Sequence, residues 1–220
     1  MSRCFDEIAH AGPEHLDEVF VASFDEKMPR DWSREIATLL GLGIGPTSTV
    51  VDLGAGTGTF ALAIAQRVSR VVAVDVSEAM VLLMRRRGLD AVHAGFLTYE
   101  HEGEPADAVF TSNALHHLPD FWKTIALERV AKTLRPGGVL HLRDFIYSFE
   151  PCEADDVLAA WLDREAAQGW SGLDLEEHIL REHSTFTWLL EPILERAGFE
   201  IHERSVREDR LHAAYTCIRA

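Results

Sequence analysis

The sequence predicts an α/β protein: a doubly wound, mostly parallel seven-stranded sheet with an antiparallel last strand, plus a helical cap. Three observations carry this. From Thr49 onward, apolar runs of strand length alternate with apolar segments at helical spacing, the pattern of strand–helix–strand units. Three glycines, Gly54, Gly56 and Gly58, separate the first run from the first helix, as a tight turn at the carboxyl end of a first strand requires. The last two runs meet across a short connection at about residues 207–211, which reads as a hairpin and so as an antiparallel pair.

The chain has 220 residues, 47% of them hydrophobic. That suits one globular domain over residues 1–220 with a sizeable core. The formal net charge of −15 repels phosphate backbones and anionic lipid surfaces, so neither nucleic acid nor membrane is the expected partner. Cys4, Cys152 and Cys217 are far apart without paired spacing. They point to a reducing cytoplasm and to neither a disulfide framework nor a zinc site. No apolar run reaches membrane length, and the acidic opening MSRCFDEIAHAGPEHLDEVF lacks the apolar core of a signal peptide.

The central stretch is Thr49 to Ala65, TVVDLGAGTGTFALAIA. Val50, Val51 and Leu53 form a strand interrupted by Asp52. The glycines follow, then Phe60, Leu62, Ala63 and Ile64 at helical spacing. Glycine lets a ligand approach bare backbone, and the helix start behind it offers unpaired N–H groups. The dinucleotide fingerprint fails, because Thr59 replaces its third glycine. The next run, RVVAVDV, still ends on Asp75, about 20 residues on, where a carboxylate meets ribose hydroxyls. The pattern D-x-G-x-G-x-G with this second acid resembles class I S-adenosylmethionine-dependent methyltransferases. The resemblance implies a Rossmann-like methyltransferase fold and S-adenosylmethionine as cofactor, with S-adenosylhomocysteine as product and no metal. It also implies cofactor contacts from Asp52, Gly54, Ala55, Gly56, Asp75 and Val76, with Asp52 near the sulfonium and ammonium.

Residues 1–45 precede this core. Phe20, Phe24, Met28, Trp32, Ile36 and Leu39-Leu40 are spaced as two short amphipathic helices. This arm covers one edge of the core or closes over the ligand. The resemblance implies an aromatic and a basic residue from such an arm, and the local candidates are Phe24, Lys27, Met28 and Trp32. Lys27 would meet the methionine carboxylate or remain a surface lysine.

Arg70–Asp75 is the second strand, continuously apolar as a doubly covered parallel strand should be. Ser77 is placed to cap the following helix, with Glu78 in its first turn and Arg85-Arg86-Arg87 complementing its dipole at the end. Met80 matches the family position that packs near the adenosine. Leu89–Ala94 is a short third strand. Where many relatives carry an acid for the adenine amino group, this chain reads Ala94-Gly95-Phe96-Leu97. Phe96 and Leu97 are then expected to hold the ring, with Glu100 or His101 as the alternative polar partner.

Residues 105–110 form the fourth strand, followed by Thr111-Ser112-Asn113-Ala114-Leu115-His116-His117-Leu118. The family places this loop beside the methyl group, with the backbone near Asn113 and Ala114 on the methionine ammonium. The Asn/Asp-Pro-Pro-aromatic run of base-modifying amino-methyltransferases is missing. Imidazole suits proton transfer near neutral pH, so His117 and His116 are candidate bases. The alternative is a structural turn. Asp120 is expected to cap the next helix, and Arg135-Pro136-Gly137-Gly138 to end it. Val139–Phe145 is the fifth strand. Asp144 and Tyr147 lie where it emerges, Asp144 as base, substrate contact or salt-bridge partner in the neighbourhood of Arg143.

Residues 148–185 exceed a bare connection and read as a helical lid, or as a surface helical pair with its own core. They contain a helix from Ala154 to Ala167 with Val157, Leu158, Trp161 and Leu162 on one face, then a polar helix near Glu176 to Glu182. Trp161, Trp170 and His183 are the lid candidates. Residues 186–220 supply a last helix, a sixth strand from Phe199 and a seventh from Leu211 to Ile218.

The expected activity is in-line methyl transfer to an oxygen, nitrogen or carbon nucleophile of a small-molecule acceptor by a monomer or homodimer. Positioning alone can supply much of such a rate. Alternatives are a non-catalytic module binding S-adenosylmethionine or S-adenosylhomocysteine and an NAD(P)-dependent oxidoreductase, the latter disfavoured by Thr59 and the terminal hairpin. A metal-assisted O-methyltransferase would want an acidic cluster that the sequence does not display.

Overall fold

The computed structural model describes residues 5–12, 16, 18–27, 29–167 and 179–220. Met28 and Trp170 lie outside the described residues, as do residues 176–178 of the expected polar helix and the side chain of Lys27.

Two helices come first, α1 (Glu18–Lys27) and α2 (Ser33–Gly41). The core alternates β1 (Thr49–Leu53), α3 (Thr59–Ile64), β2 (Arg70–Asp75), α4 (Glu78–Arg86), β3 (Asp90–His93), β4 (Ala106–Ser112), α5 (Asp120–Thr133) and β5 (Leu134–Tyr147). Then follow α6 (Ala154–Ala167), β6 (Thr185–Phe186), α7 (Thr187–Arg196), β7 (Phe199–Val206) and β8 (His212–Arg219). The strand order is β3-β2-β1-β4-β5-β8-β7. β1 to β5 run parallel, and β8 is antiparallel to both β5 and β7. An eighth strand, the two-residue β6, adds to the seven expected and pairs with the end of β5 at Ile146 and Tyr147.

Successive β1 residues serve opposite faces. Val51 and Leu53 join Val72, Val74, Leu127 and Leu140 on one side. Val50 joins Phe60, Val71, Ala73, Phe110 and the arm residues Trp32 and Leu39 on the other. Both faces are covered, so the consecutive residues Val50 and Val51 are both apolar, with Asp52 the buried polar exception near the carboxyl end of β1. β1 and β4 are neighbours whose connections leave in opposite directions, which opens a crevice at their carboxyl ends. The cap has a smaller core of Phe149, Trp161 and Leu211, with Val157, Leu158 and Leu162 against it.

Local chemistry sets the helix ends. The Ser77 hydroxyl accepts the Met80 N–H at 3.2 Å, capping α4. Arg85 closes the other end by donating to the Ala91 carbonyl at 2.9 Å. Two expectations need correction. Asp120 does not cap α5; it is the first helical residue after Pro119, and its carboxylate is taken by Lys123 at 2.8 Å. Arg135–Gly138 belong to β5 as a bulge, since Leu134 pairs with Ala106 while Val139 pairs with Ala108. Gly138 fits there because a Cβ would lie 2.8 Å from the Arg135 carbonyl.

Candidate active site

The crevice is built on the glycine turn. Gly54, Gly56 and Gly58 have φ of 74°, 55° and 79°, a region that side chains disfavour. Gly54 is doubly constrained, because a Cβ would strike the Cβ of Ala114. Asp75 ends β2 and ties the turn: its carboxylate accepts the Gly56 N–H at 2.7 Å and the Ser77 N–H at 2.8 Å.

Asp52 points into the same cavity and is 2% exposed. Burial, with Asp75 nearby, pushes its carboxyl up to about 8, although the Ala61 N–H bonds to it. Its Oδ2 has no hydrogen-bond partner among the described residues. The Asn113 side-chain oxygen is likewise buried without one. Asn113 itself is left-handed, φ 51°, and donates its N–H to the Arg143 carbonyl at 3.0 Å.

The arm closes one side. Phe24 and Trp32 line the cavity, and the Trp32 indole donates to Thr59 Oγ1 at 3.0 Å. Trp32 also packs edge-on against Phe60 and Phe110, so it covers the core and borders the site together. Asp25 fixes α1 to the turn by accepting the Thr57 hydroxyl and pairing with Arg87 at 2.7 Å. The basic side chain lining the cavity is Arg30, which the sequence reading missed. Burial, reinforced by the Arg143 charge, holds its pKa below the usual guanidinium value.

At the opposite end lie Val76, Met80, Ala94 and Phe96. Leu97 requires correction: its side chain belongs to the core with Tyr99 and Leu127. Glu100 and His101 do not line the cavity either. The Tyr99 hydroxyl and the Glu104 carbonyl engage the His101 ring. The carboxylate found at this end is Glu7, which accepts the Phe96 N–H at 2.7 Å and the Leu97 N–H at 2.9 Å.

Residues 50–138 match the family model described as a methyltransferase domain. Residues 50–138 are thus similar to a methyltransferase domain. An uncharacterized methyltransferase of Mycobacterium tuberculosis is 34% identical over 104 residues, 46% of this chain and 52% of that relative. The demethylmenaquinone methyltransferase of a Mycobacterium species (strain KMS) is 35% identical over 116 residues, 53% of this chain and 49% of that relative. This chain thus spans about half the length of the curated relatives it matches. The magnesium protoporphyrin IX methyltransferase of Synechocystis, solved with bound S-adenosylhomocysteine, superposes with a TM-score of 0.61 at 17% identity, covering 100% of this chain and 90% of that one. The described residues therefore share the fold of that protein.

In the loop after β4 the two adjacent histidines separate. His117 lines the cavity. His116 turns away and is 4% exposed. Its Nδ1 pairs with Asp144 Oδ1, its backbone N–H donates to Asp144 Oδ2 at 3.1 Å, and its Nε2 lies 3.1 Å from Glu182. Burial opposes the charged imidazole, but the Asp144 charge and hydrogen bond, with Glu182, carry its pKa up to about 10. Asp144 moves the other way: burial would raise it, and the His116 charge holds it below the ordinary carboxylate value. The pair is a buried ion pair, so His116 has no basic nitrogen at neutral pH, and neither residue lines the crevice. Asp144 does form a salt bridge, but with His116 and not in the neighbourhood of Arg143, which pairs with Glu35 at 3.1 Å.

Glu182 was not foreseen. It brings a carboxylate oxygen and ring nitrogens of His116 and His117 within 4.8 Å of one another. A cation there would first have to displace the His116 proton. His183, a lid candidate, donates its backbone N–H to the His116 carbonyl at 2.8 Å, and its own carbonyl accepts from buried Lys123. Trp161, the other described lid candidate, is buried in the cap core.

Proposed function

We propose that this protein is an S-adenosylmethionine-dependent methyltransferase acting on a small molecule. The observation that carries the reading is the convergence of three features in one crevice: the left-handed glycine turn, Asp75 held by its amides, and the buried, partnerless Asp52 oxygen. A cation arriving beside Asp52 would draw that carboxyl back to its ionised form and supply the missing partner. The residues therefore fit the cofactor.

In this reading Gly54, Ala55 and Gly56 offer bare backbone, Asp75 takes the ribose hydroxyls, and Val76, Met80 and Phe96 flank the base. Asp52 and the backbone at Asn113 and Ala114 face the ammonium. Arg30, rather than Lys27, meets the carboxylate, and Phe24 and Trp32 close the arm over it. Bound S-adenosylmethionine supplies an electrophilic methyl group. The chain's part is to orient, to exclude water under the 1–45 arm and the 148–185 lid, and to hold the acceptor. His117 is the imidazole placed to hold or accept the acceptor's proton.

The net charge of −15 and the aromatic cap favour a metabolite over a nucleic acid. No helix among the described residues is long and apolar enough to cross a membrane, and a reducing cytoplasm suits the cysteine pattern. The test is calorimetric titration with S-adenosylhomocysteine beside an Asp75→Ala variant checked for folding. Micromolar binding, weakened roughly tenfold or more in the variant as expected for hydrogen bonds to a charged group, supports the reading. A folded wild type that binds nothing overturns it.

A further inference from the structure

From Ala94 to Tyr99, directly after β3, the chain has no acid, yet a carboxylate is present at that spot. Glu7 reaches it from the N-terminal segment. Its Cδ and Oε1 lie 2.5 Å from where a Gly95 Cβ would stand, with Oε2 against the same point. The carboxylate thus occupies the space that a Gly95 side chain would fill. The amides of Phe96 and Leu97 orient it at 2.7 and 2.9 Å. These use two of its roughly four acceptor positions, and Glu7 borders the cavity. Around it, Val76, Met80, Ala94 and Phe96 make a slot for a flat ring. A ring amino group buried there needs an acceptor, or its desolvation goes uncompensated.

We propose that Glu7 recognises the exocyclic amino group of the cofactor's purine, so that the N-terminal segment completes the base site. This rests on the cofactor reading above. It makes Gly95 a requirement of the chain, since any side chain there would displace Glu7. It also makes base recognition depend on docking of the arm, which a residue on β3 itself would not.

The test is calorimetry with S-adenosylhomocysteine and with S-inosylhomocysteine, whose 6-oxo group replaces the amino donor by an acceptor facing Glu7. Wild type should prefer the adenine compound by roughly tenfold or more, because a site built around a donor rejects the analogue lacking it. Glu7→Ala should weaken the adenine compound by a similar factor and collapse the preference. In the Glu7→Ala background, Gly95→Asp should restore it. Gly95 is not in the left-handed region, and with Glu7 truncated the space is open. A Glu7→Ala variant that keeps the preference, or binds S-adenosylhomocysteine more tightly because Glu7 had filled the ligand's place, overturns the proposal. So does failure of Gly95→Asp to rescue a folded Glu7→Ala chain. Wild type that binds neither compound refutes the cofactor reading itself, and this assignment with it.

Discussion

The buried His116–Asp144 pair makes a quantitative demand on stability. Asp144→Asn keeps the shape and an acceptor for the His116 N–H but removes the nearer of the two carboxylate charges facing the imidazolium, Glu182 supplying the other. Both side chains are at most 5% exposed, so solvent cannot take over the lost partner. Breaking one side of a buried ion pair costs about 3–5 kcal/mol. The imidazole gives a figure of the same order: holding its pKa at about 10 instead of 6.5 corresponds to about 5 kcal/mol of preference for the charged form. The sign follows from linkage. The folded pKa is raised, so the contribution is fully present below the unfolded value near 6.5 and fades as pH climbs to about 10. Across that window the wild type should lose about 1.4 kcal/mol per pH unit from this group. The Asp144→Asn variant should be less stable at pH 6 and much flatter between pH 6.5 and 10. Urea unfolding at a series of pH values measures both quantities, and proton NMR of the His116 ring reads its ionisation directly. An imidazole titrating near pH 6.5 in the wild type, or a loss below about 1 kcal/mol in the variant at pH 6, would refute the argument.

Two further outcomes follow from the geometry. Gly54→Ala meets both a φ of 74° and the Ala114 Cβ; it should cost about 1–3 kcal/mol in strain alone and abolish S-adenosylhomocysteine binding. Adding Ala114→Gly should recover part of the stability but not all of it, because the clash is relieved and the backbone strain is not; full recovery by differential scanning calorimetry would contradict the φ argument. Cys217 is buried and its thiol is pushed up to about 12 by that burial, whereas Cys152 is exposed, so iodoacetamide at pH 8 should modify Cys152 in the native protein and reach Cys217 only after unfolding. Peptide mass spectrometry decides it, and rapid native labelling of Cys217 would mean that β8 opens far more readily than a central strand should.

What was legible in the sequence is what short-range chemistry dictates. The glycine turn shows itself because three left-handed positions in five residues admit little else. Asp75 shows itself because a strand end has a fixed distance from the turn it serves. Ser77 caps α4 and α6 spans Ala154–Ala167 as their local patterns require. The failures at Asp120 and at Arg135–Gly138 are also local, and in each a longer-range partner won. Buried Lys123 claimed the Asp120 carboxylate, and pairing with β4 drew Leu134 into the sheet before the glycines could end the helix.

Glu7, Arg30 and Glu182 were missed for a different reason. Each is a charged residue in a connection: just before a short 3-10 turn at Ile8–His10, between α1 and α2, and just ahead of β6. A helix face or a strand alternation predicts where its side chains go. A connection goes where its flanking elements dock, and that docking is decided by residues far along the chain. Arg30 was the closest to being readable. The arm was expected to provide a cation, and Trp32, two residues on, anchors that stretch against Phe60 and Phe110. Lys27 ends α1 instead, where the docking of Asp25 on Thr57 and Arg87 fixes the helix. Glu7 left a negative signal: the turn Ala94-Gly95-Phe96-Leu97 directly after β3 carries no acid and has a glycine where one would stand, which asks for a carboxylate from elsewhere. Glu182 left none, since nothing in the stretch Arg181-Glu182-His183 marks its carboxylate as the one that will meet two histidines. The base end of the crevice and the histidine end thus share a design. In each, an acid from a distant connection completes a site whose other members are adjacent in sequence, so the site forms only when the cap has folded onto the core.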